Sequence, residues 1–189
     1  MMEILKNWDA QTLLSIQEHL RFEPLDPLVR FITALGNGGL LWIMLGIILL
    51  IYKKTRVQSL YLLPTLGIAT AINNLAIKNI VMRVRPYEVI EGLTILIPME
   101  ASWSFPSGHA CSSFAVATAL FLAFPGRGAW AYIPAALIAL SRLYVGVHYP
   151  TDIIVGALVG TVVAIICHRL YALILSRQST AENIKTKPR

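Results

Sequence analysis

The sequence predicts an all-α protein, a polytopic bundle of transmembrane helices with about five spans and an N-terminal amphipathic helix at the interface. Hydrophobic residues make up 56% of the 189 residues and charged residues only 14%, which is too apolar for an ordinary soluble domain. The apolar residues form runs of about 20, the length that a helix needs to cross a bilayer. The net charge is +6, and the basic residues lie between the runs, so they indicate membrane topology and not a nucleic-acid surface.

Three parts are expected along the chain. Residues 1–25 place apolar side chains at helical spacing among polar ones, which predicts a short amphipathic helix on the membrane surface. A partly ordered tail is the alternative for this segment. Residues 26–176 would form the transmembrane core, and residues 177–189 a basic, disordered cytoplasmic tail.

The first two spans follow from two uncharged runs. Residues 31–52 hold no charged residue over 22 positions, and residues 57–77 hold none over 21. Asp26-Pro27 is a helix start, because aspartate caps an N-terminus and proline suits the first turn. The Gly36–Gly39 cluster could kink or break the first span, and the pattern leaves that open.

Three further spans follow downstream. The third is expected over residues 106–124, the fourth over residues 129–147 and the fifth over residues 151–175. Gly156 and Gly160 are four residues apart, and small residues at this spacing let two helix backbones approach closely. The fifth span is therefore expected to pack through its glycine face.

Five spans give a testable topology. One side would carry nine basic residues and only Glu182 as an acid. The nine are Lys53, Lys54, Arg56, Arg127, Arg169, Arg177, Lys185, Lys187 and Arg189. The other side would carry seven basic and nine acidic residues. The positive-inside rule places the first side in the cytoplasm, so the N-terminus and the three motifs described next would face outward.

The first motif is Lys78-x6-Arg85-Pro86. The second helix is expected to continue through Lys78 toward Arg83 and to end at Arg85, because the residue before a proline avoids the helical region. Lys78 and Arg85 would then lie two turns apart on one helix face, where two cations suit a phosphate or diphosphate. The alternative is that both side chains only anchor the helix among lipid headgroups.

The second motif is Pro106-Ser107-Gly108-His109, at the start of the third span. Ser107 is the predicted N-cap. The serine and the glycine present free backbone N–H groups to an anion, and the glycine lets a phosphate approach the backbone closely. His109 in the first turn could donate a proton to a departing oxygen. A purely structural histidine is the alternative.

The third motif is Ser141-Arg142-x5-His148-x3-Asp152. Pro150 suits the first position of a new helix, so Asp152 falls in its first turn, just after His148. A carboxylate there can hold one imidazole nitrogen and leave the other free to attack, while Arg142 adds a bidentate clamp for phosphate. The alternative is an interfacial salt-bridge cluster that orients two helices.

In order and spacing, the three motifs match the signature of the type 2 phosphatidic acid phosphatase family, which this chain resembles over residues 26–176. No motif position departs from the pattern. The resemblance implies a helical core shared with vanadium-dependent haloperoxidases and membrane-bound glucose phosphatases. It also implies a metal-independent phosphatase without a cofactor that works through a phosphohistidine. The apolar spans disfavour a soluble haloperoxidase.

By this resemblance, His148 corresponds to the nucleophile, Asp152 to its orienting partner and His109 to the general acid for the leaving group. His109 would then be the base that activates water in the second step. These roles need a neutral His148 and a protonated His109, and free histidine titrates near pH ~6.5. A bell-shaped rate profile around neutrality is therefore expected.

The resemblance assigns phosphate binding to five residues: Lys78, Arg85 and Arg142 through their charges, and Ser107 and Gly108 at the helix start. Phosphoryl transfer needs positioning and positive charge around the equatorial oxygens. Lysine and arginine can supply that charge without Mg²⁺, and the sequence holds no separate cluster of acids suited to a metal.

Several neighbours of the motifs are weaker candidates. Arg83 and Tyr149 could contact a lipid headgroup, and Trp103 fits an anchor at the membrane interface. The glutamates of the loop over residues 86–105 could influence substrate choice, although solvated loop acids are the simpler interpretation.

The expected function is that of an integral membrane lipid phosphatase, with its site facing outward from a bacterial plasma membrane. Its partners would be a lipid phosphate and the membrane, not nucleic acid. Undecaprenyl diphosphate is the first candidate substrate on resemblance alone, with phosphatidylglycerol phosphate and phosphatidic acid as alternatives. A lipid phosphotransferase and a non-catalytic phospholipid-binding protein are the other hypotheses, the latter disfavoured by the intact His148, Asp152 and His109. The motifs leave the oligomeric state open.

Overall fold

The computed structural model describes residues 2–185, with side chains described for residues 3–177. These residues form nine α-helices and no β-strand, which confirms the all-α prediction. The α-helices are α1 (Met2–His19), α2 (Asp26–Leu35), α3 (Leu40–Ile51), α4 (Arg56–Ala71), α5 (Lys78–Val81), α6 (Pro86–Val89), α7 (Gly108–Ala123), α8 (Tyr132–Tyr144) and α9 (Pro150–Lys185). Glu23–Leu25, Asn37–Gly39 and Arg127–Ala131 are 3₁₀ segments, and Ile72–Ile77 is π-helical.

Helix α7 is the centre of the bundle and packs against α4, α8 and α9. Its small residues Ala110, Ala115 and Ala119 are fully buried, because they let the neighbouring backbones approach closely. The glycines of α9 use this space, since a Cβ added at Gly160 would lie 2.1 Å from the carbonyl oxygen of Cys111. The predicted small-residue packing face of the last span is therefore confirmed.

The first span is broken at its glycine cluster. Gly38 and Gly39 have φ values of 58° and 74°, in the left-handed region that glycine adopts without steric cost. The helical stretches on either side, Glu23–Leu35 and Asn37–Ile51, are bent by 53° relative to each other. The question that the sequence left open is thus answered by a break, and its inner corner borders the site described below.

Within the described chain, two helical stretches are long and apolar enough to cross a membrane, Arg56–Val89 and Pro150–Arg177. The two bent stretches on either side of Gly36, taken together as one broken helix, would make a third span. Helix α7 is apolar but has 16 residues, and α8 has 13, so both are shorter than the roughly 20 that a straight span needs. The count of five spans therefore stays a prediction.

The second helix ends earlier than predicted. The prediction that Lys78 and Arg85 share one helix face is wrong, because α5 ends at Val81 and Met82 adopts a left-handed conformation with φ 48°. Arg85 has the extended conformation expected before Pro86. The chain therefore leaves the helix four residues before the proline, and the two cations converge by another route.

The two ends of the chain also depart from expectation. Helix α1 does not lie only on a membrane surface, because Asp9 and Leu13 are each 1% exposed and packed against the protein. At the other end α9 continues to Lys185, so the tail expected to be disordered is helical that far. Residues 177–185 contain no glycine or proline that would end the helix. Residues 186–189 lie outside the described part of the chain.

Candidate active site

A cavity of about 280 Å³ lies where the three motifs meet. Its walls come from the break in the first span, the π-helical segment, the start of α7 and the loop after α6. The lining residues are Gly36, Gly38, Gly39, Thr70, Asn74, Lys78, Glu100, Ser102, Gly108, His109, Ser112 and His148. Four of the eight predicted site residues therefore face one cavity, and the other four lie behind its wall.

The predicted pairing of His148 with Asp152 is present at the start of α9. Pro150 is the first residue of that helix, which places Asp152 in its first turn. The Asp152 Oδ2 atom lies 3.3 Å from Nδ1 of His148 and accepts the backbone N–H of Tyr149 at 3.0 Å. The Ser104 hydroxyl donates to the same oxygen. The carboxylate is thus held by several donors and oriented toward one imidazole nitrogen.

The second nitrogen of His148 faces a cation. Its Nε2 atom lies 3.4 Å from NH1 of Arg85, which also donates to the carbonyl oxygen of Val147 at 2.9 Å. Burial lowers the pKa of His148 to about 4, although Asp152 opposes this shift. The imidazole is therefore neutral near pH 7. Because Asp152 binds the Nδ1–H, the lone pair is on Nε2, where a nucleophile needs it.

Arg85 and Arg142 share one anion, the carboxylate of Glu100. NH2 of Arg85 lies 2.6 Å from Oε2, and NH2 of Arg142 pairs with Oε1. Burial disfavours the charged carboxylate, but the two arginines outweigh this effect and lower the pKa of Glu100 to about 2. The two guanidinium groups therefore form a site for a two-oxygen anion at the cavity wall.

Lys78 joins Arg85 through the loop that follows α6. The Lys78 ammonium donates to the carbonyl oxygen of Trp103 at 2.6 Å and to Oγ of Ser102 at 3.1 Å. NH2 of Arg85 contacts the same Ser102 hydroxyl at 3.2 Å. Tertiary contacts with this loop, and not a shared helix face, bring the two cations together.

The start of α7 supplies the other wall. Ser107 is the N-cap as predicted, and its hydroxyl accepts the N–H of Ala110 at 3.5 Å. The Ser107 backbone N–H donates to the carbonyl oxygen of Asp152 at 3.0 Å, which joins the second motif to the third. Gly108 and His109 line the cavity, and Nε2 of His109 lies 3.0 Å from Oδ1 of Asn37 in the broken span.

Several residues of this site lie outside the three motifs and were not predicted. Asn37 stands in the glycine cluster, where a polar side chain between glycines was an available signal. Ser104 and Glu100 lie in the loop before the second motif. The sequence indicated only that the glutamates of this loop could influence substrate choice, and it gave no sign of Ser104. Asp9 carried no signal, because an acid in an amphipathic N-terminal helix is ordinarily solvated.

The Arg83 side chain, one of the weaker candidates for headgroup contact, binds groups within the protein. Its guanidinium lies 3.7 Å above the ring centroid of Tyr149. NH1 donates to Oδ1 of Asp152 at 2.8 Å, and NH2 pairs with Asp9 at 2.6 Å. Arg83 is thus part of the support of the His148–Asp152 pair.

The chain is similar to known proteins over most of its length. The family model described as the PAP2 superfamily matches residues 58–174. The undecaprenyl-diphosphatase of Sulfolobus acidocaldarius is 32% identical over 151 residues, which are 79% of this chain and 72% of that protein. The undecaprenyl-diphosphatase BcrC of Bacillus subtilis is 31% identical over 150 residues, 79% of this chain and 77% of that protein.

A solved structure has the same fold. The crystal structure of a transmembrane PAP2-type phosphatidylglycerolphosphate phosphatase from Bacillus subtilis superposes with a TM-score of 0.73 at 26% identity. The match covers 90% of this chain and 88% of that one. The likeness therefore extends over nearly the whole bundle, including the helices that carry the three motifs.

Proposed function

The chain belongs to the PAP2 superfamily, and we propose that it hydrolyses the terminal phosphate of a lipid diphosphate, with undecaprenyl diphosphate as the first candidate. It is an integral membrane lipid phosphatase. Two relatives at 32% and 31% identity are named undecaprenyl-diphosphatases, and each match covers more than two thirds of both chains. These two relatives support the choice of substrate.

One observation carries the proposed chemistry: the imidazole nitrogen of His148 that does not face Asp152 lies beside a two-arginine anion site. The Nε2 atom of His148 is 3.4 Å from Arg85, whose guanidinium shares the Glu100 carboxylate with Arg142. A phosphate that replaced this carboxylate would sit against both arginines, next to the nucleophile. Positioning and charge neutralisation of this kind are the main requirements of phosphoryl transfer.

In the first step, the lone pair on His148 Nε2 attacks the terminal phosphorus and the bond to the leaving oxygen breaks. The products are a phosphohistidine and a lipid monophosphate, whose oxygen takes a proton from His109. Asp152 keeps its hydrogen bond to Nδ1–H and stabilises the positive charge that develops on the ring. In this scheme Asn37 orients His109 through its contact at 3.0 Å.

In the second step, His109 accepts a proton from water, and the resulting hydroxide equivalent attacks the phosphohistidine. The bond between nitrogen and phosphorus breaks, inorganic phosphate leaves, and His148 returns to its neutral form. Lys78, Arg85 and Arg142 bind the equatorial oxygens in both steps. Gly108 adds its backbone N–H at the N-terminus of α7, while the N–H of Ser107 stays bound to the carbonyl oxygen of Asp152.

The proposed site faces outward, and its substrate's hydrocarbon chain lies in the bilayer. The loops at the opposite ends of the helices carry the basic residues Lys53, Lys54, Arg56 and Arg127. The positive-inside rule places those loops in the cytoplasm. The cavity would then open at the outer leaflet, where a lipid diphosphate could enter with its headgroup first.

A second candidate substrate is phosphatidylglycerol phosphate. The similar crystal structure is that of a phosphatidylglycerolphosphate phosphatase, and its fold matches at a TM-score of 0.73. The three motifs bind a phosphate in either lipid, so the hydrocarbon and headgroup beyond the phosphate distinguish the two. Phosphatidic acid belongs in the same comparison.

The test is phosphate release by detergent-purified protein in the presence of EDTA. The panel contains undecaprenyl diphosphate, phosphatidylglycerol phosphate and phosphatidic acid, each as mixed micelles, with His148→Ala as the control. We expect the highest kcat/KM with undecaprenyl diphosphate, no loss with EDTA and no release by the variant. Transfer of the phosphate to an added acceptor lipid, without release of inorganic phosphate, would indicate a phosphotransferase. A folded protein that binds the lipids but releases no phosphate would overturn the hydrolase assignment.

A further inference from the structure

We propose that the N-terminal helix α1 is part of the catalytic apparatus: Asp9 positions Arg83, and Arg83 positions Asp152 for its role on His148. Asp9 and Arg83 are positioning residues in this proposal, since they act through another side chain. The inference rests on the proposed function, because it assigns the support of the proposed nucleophile. It also assigns a purpose to a segment expected to be an interfacial helix or a tail.

The Arg83 guanidinium bridges two carboxylates from opposite ends of the sequence. NH1 lies 2.8 Å from Oδ1 of Asp152, and NH2 lies 2.6 Å from Oδ2 of Asp9. Both carboxylates are buried, with side chains 0% and 2% exposed. Ion pairs with this geometry and burial are strongly orienting, since neither acid has water as an alternative partner.

Asp9 is also bound to the start of α9, where the proposed nucleophile is held. Its Oδ1 accepts the backbone N–H of Thr151 at 3.0 Å, and its Oδ2 accepts the Thr151 hydroxyl at 2.6 Å. Thr151 is the residue before Asp152. A single carboxylate on α1 therefore fixes both the cation that contacts Asp152 and the backbone next to it.

The bond from Arg83 occupies the oxygen of Asp152 that does not face His148. Oδ2 lies against Nδ1 of His148, while Oδ1 accepts from Arg83. Without Asp9 the guanidinium would keep its hydrogen bond to the Thr151 hydroxyl and its contact with the Tyr149 ring, but it would lose the ion pair on NH2 that sets its direction. The Asp152 carboxylate could then turn. The imidazole would then lose the partner that selects its tautomer and direction. The expected consequence is slower chemistry with little change in substrate binding.

Helix α1 has separate anchors that do not touch this network. Gln17 donates to the carbonyl oxygen of Gly92 at 2.9 Å and accepts the N–H of Thr94 at 2.8 Å. Arg21 donates to the carbonyl oxygen of Thr94 at 2.7 Å. Replacement of Gln17 therefore weakens the docking of α1 without changing Asp9, which makes it a matched control for a purely structural role.

The experiment measures kcat, KM and the rate of phosphoenzyme formation for wild-type protein, Asp9→Asn, Arg83→Gln, the double variant and Gln17→Ala. The substrate is the best lipid of the panel described above. Each rate is divided by the fraction of protein that can be labelled as the phosphoenzyme. We expect Asp9→Asn to lower kcat about tenfold, with KM unchanged within about twofold. Gln17→Ala should lower the thermal unfolding midpoint but keep kcat.

The double variant tests whether Asp9 acts through Arg83. Because both belong to one chain of contacts, the double variant should be no slower than Arg83→Gln alone. Arg83→Lys, which keeps a cation beside Asp152, should recover part of the loss and provides a second test if Asp9→Asn is poorly folded. Two outcomes would overturn this inference: equal kcat for Asp9→Asn and Gln17→Ala, or losses in the double variant that multiply those of the single variants. In either case an active wild-type protein would still uphold the proposed function. An inactive wild type would overturn both.

Discussion

The Glu100 carboxylate lies 2.6 Å from the Arg85 guanidinium, at the position where the proposed mechanism needs a phosphate oxygen. Its other oxygen pairs with Arg142, so a single loop glutamate occupies the anion site that the two arginines form. The pKa of Glu100, lowered to about 2, keeps it ionised at every pH at which the protein would work. A substrate must therefore displace an anion that belongs to the protein.

Glu100→Gln should bind phosphate analogues more tightly. The glutamine keeps the shape of the side chain but not the charge that competes for Arg85 and Arg142. We expect the inhibition constant of orthovanadate to fall about tenfold, which corresponds to roughly 1.4 kcal/mol. Glu91→Gln is the control, since Glu91 is exposed in the same loop. An unchanged inhibition constant would mean that Glu100 is not displaced on binding.

Replacement of Asp152 should slow the reaction without abolishing binding. Asp152→Asn presents an amide to Nδ1 of His148 and disturbs the tautomer that leaves Nε2 free. By analogy with other imidazoles oriented by a carboxylate, kcat should fall by roughly 10³-fold or more. The measurement is steady-state phosphate release, compared with His148→Ala, which should form no phosphoenzyme. A fully active Asp152→Asn protein would refute the orienting role.

The acidic side of the pH–rate profile should lie below the usual pKa range of histidine. The neutral form of His148 attacks, and burial lowers its pKa to about 4, so kcat/KM should be lost as the pH falls through about 4. The acidic side expected from sequence near pH ~6.5 therefore moves down. The substrate phosphate also ionises near pH ~6, and ³¹P NMR titration of the free lipid separates that effect. An acidic side that remained near 6.5 after this correction would contradict a buried, neutral nucleophile.

Gly36 should be sensitive to the smallest enlargement. A Cβ at this position would lie 2.5 Å from Cδ2 of His109 and 2.6 Å from Cγ2 of Ile138. Gly36→Ala should therefore displace the His109 ring and lower kcat by 10-fold or more, at a cost of about 1–3 kcal/mol of stability. In Gly67→Ala a Cβ meets nothing within 4 Å, so this variant should behave as wild type. Equal activities for the two variants would show that His109 does not need this close approach.

Local spacing was enough to predict a substantial part of the molecule. Asp152 follows His148 by one helical turn, and Pro150 starts the helix between them, so the pairing could be read directly from the chain. The Ser107 cap and the glycine face of α9 followed in the same way. Each of these features depends on residues within a few positions of one another, where backbone geometry alone sets the distance.

Contacts between distant segments could not be read in this way. Lys78 and Arg85 were expected on one helix face, yet Ser102 and Trp103 of a later loop bring them together. The break at Gly38 was left open because glycine permits a kink without requiring it. The choice was made by the packing of neighbouring helices.

By itself, the sequence determined a helical membrane protein whose three motifs carry a histidine, its aspartate and a set of cations. Only the tertiary structure decided which other side chains complete that set. Glu100 reaches Arg142 across 42 positions, and Asp9 reaches Thr151 across 142. Periodicity describes which face of a helix is apolar, but not which helix that face will meet. Contacts at such separations exist only once the bundle has packed.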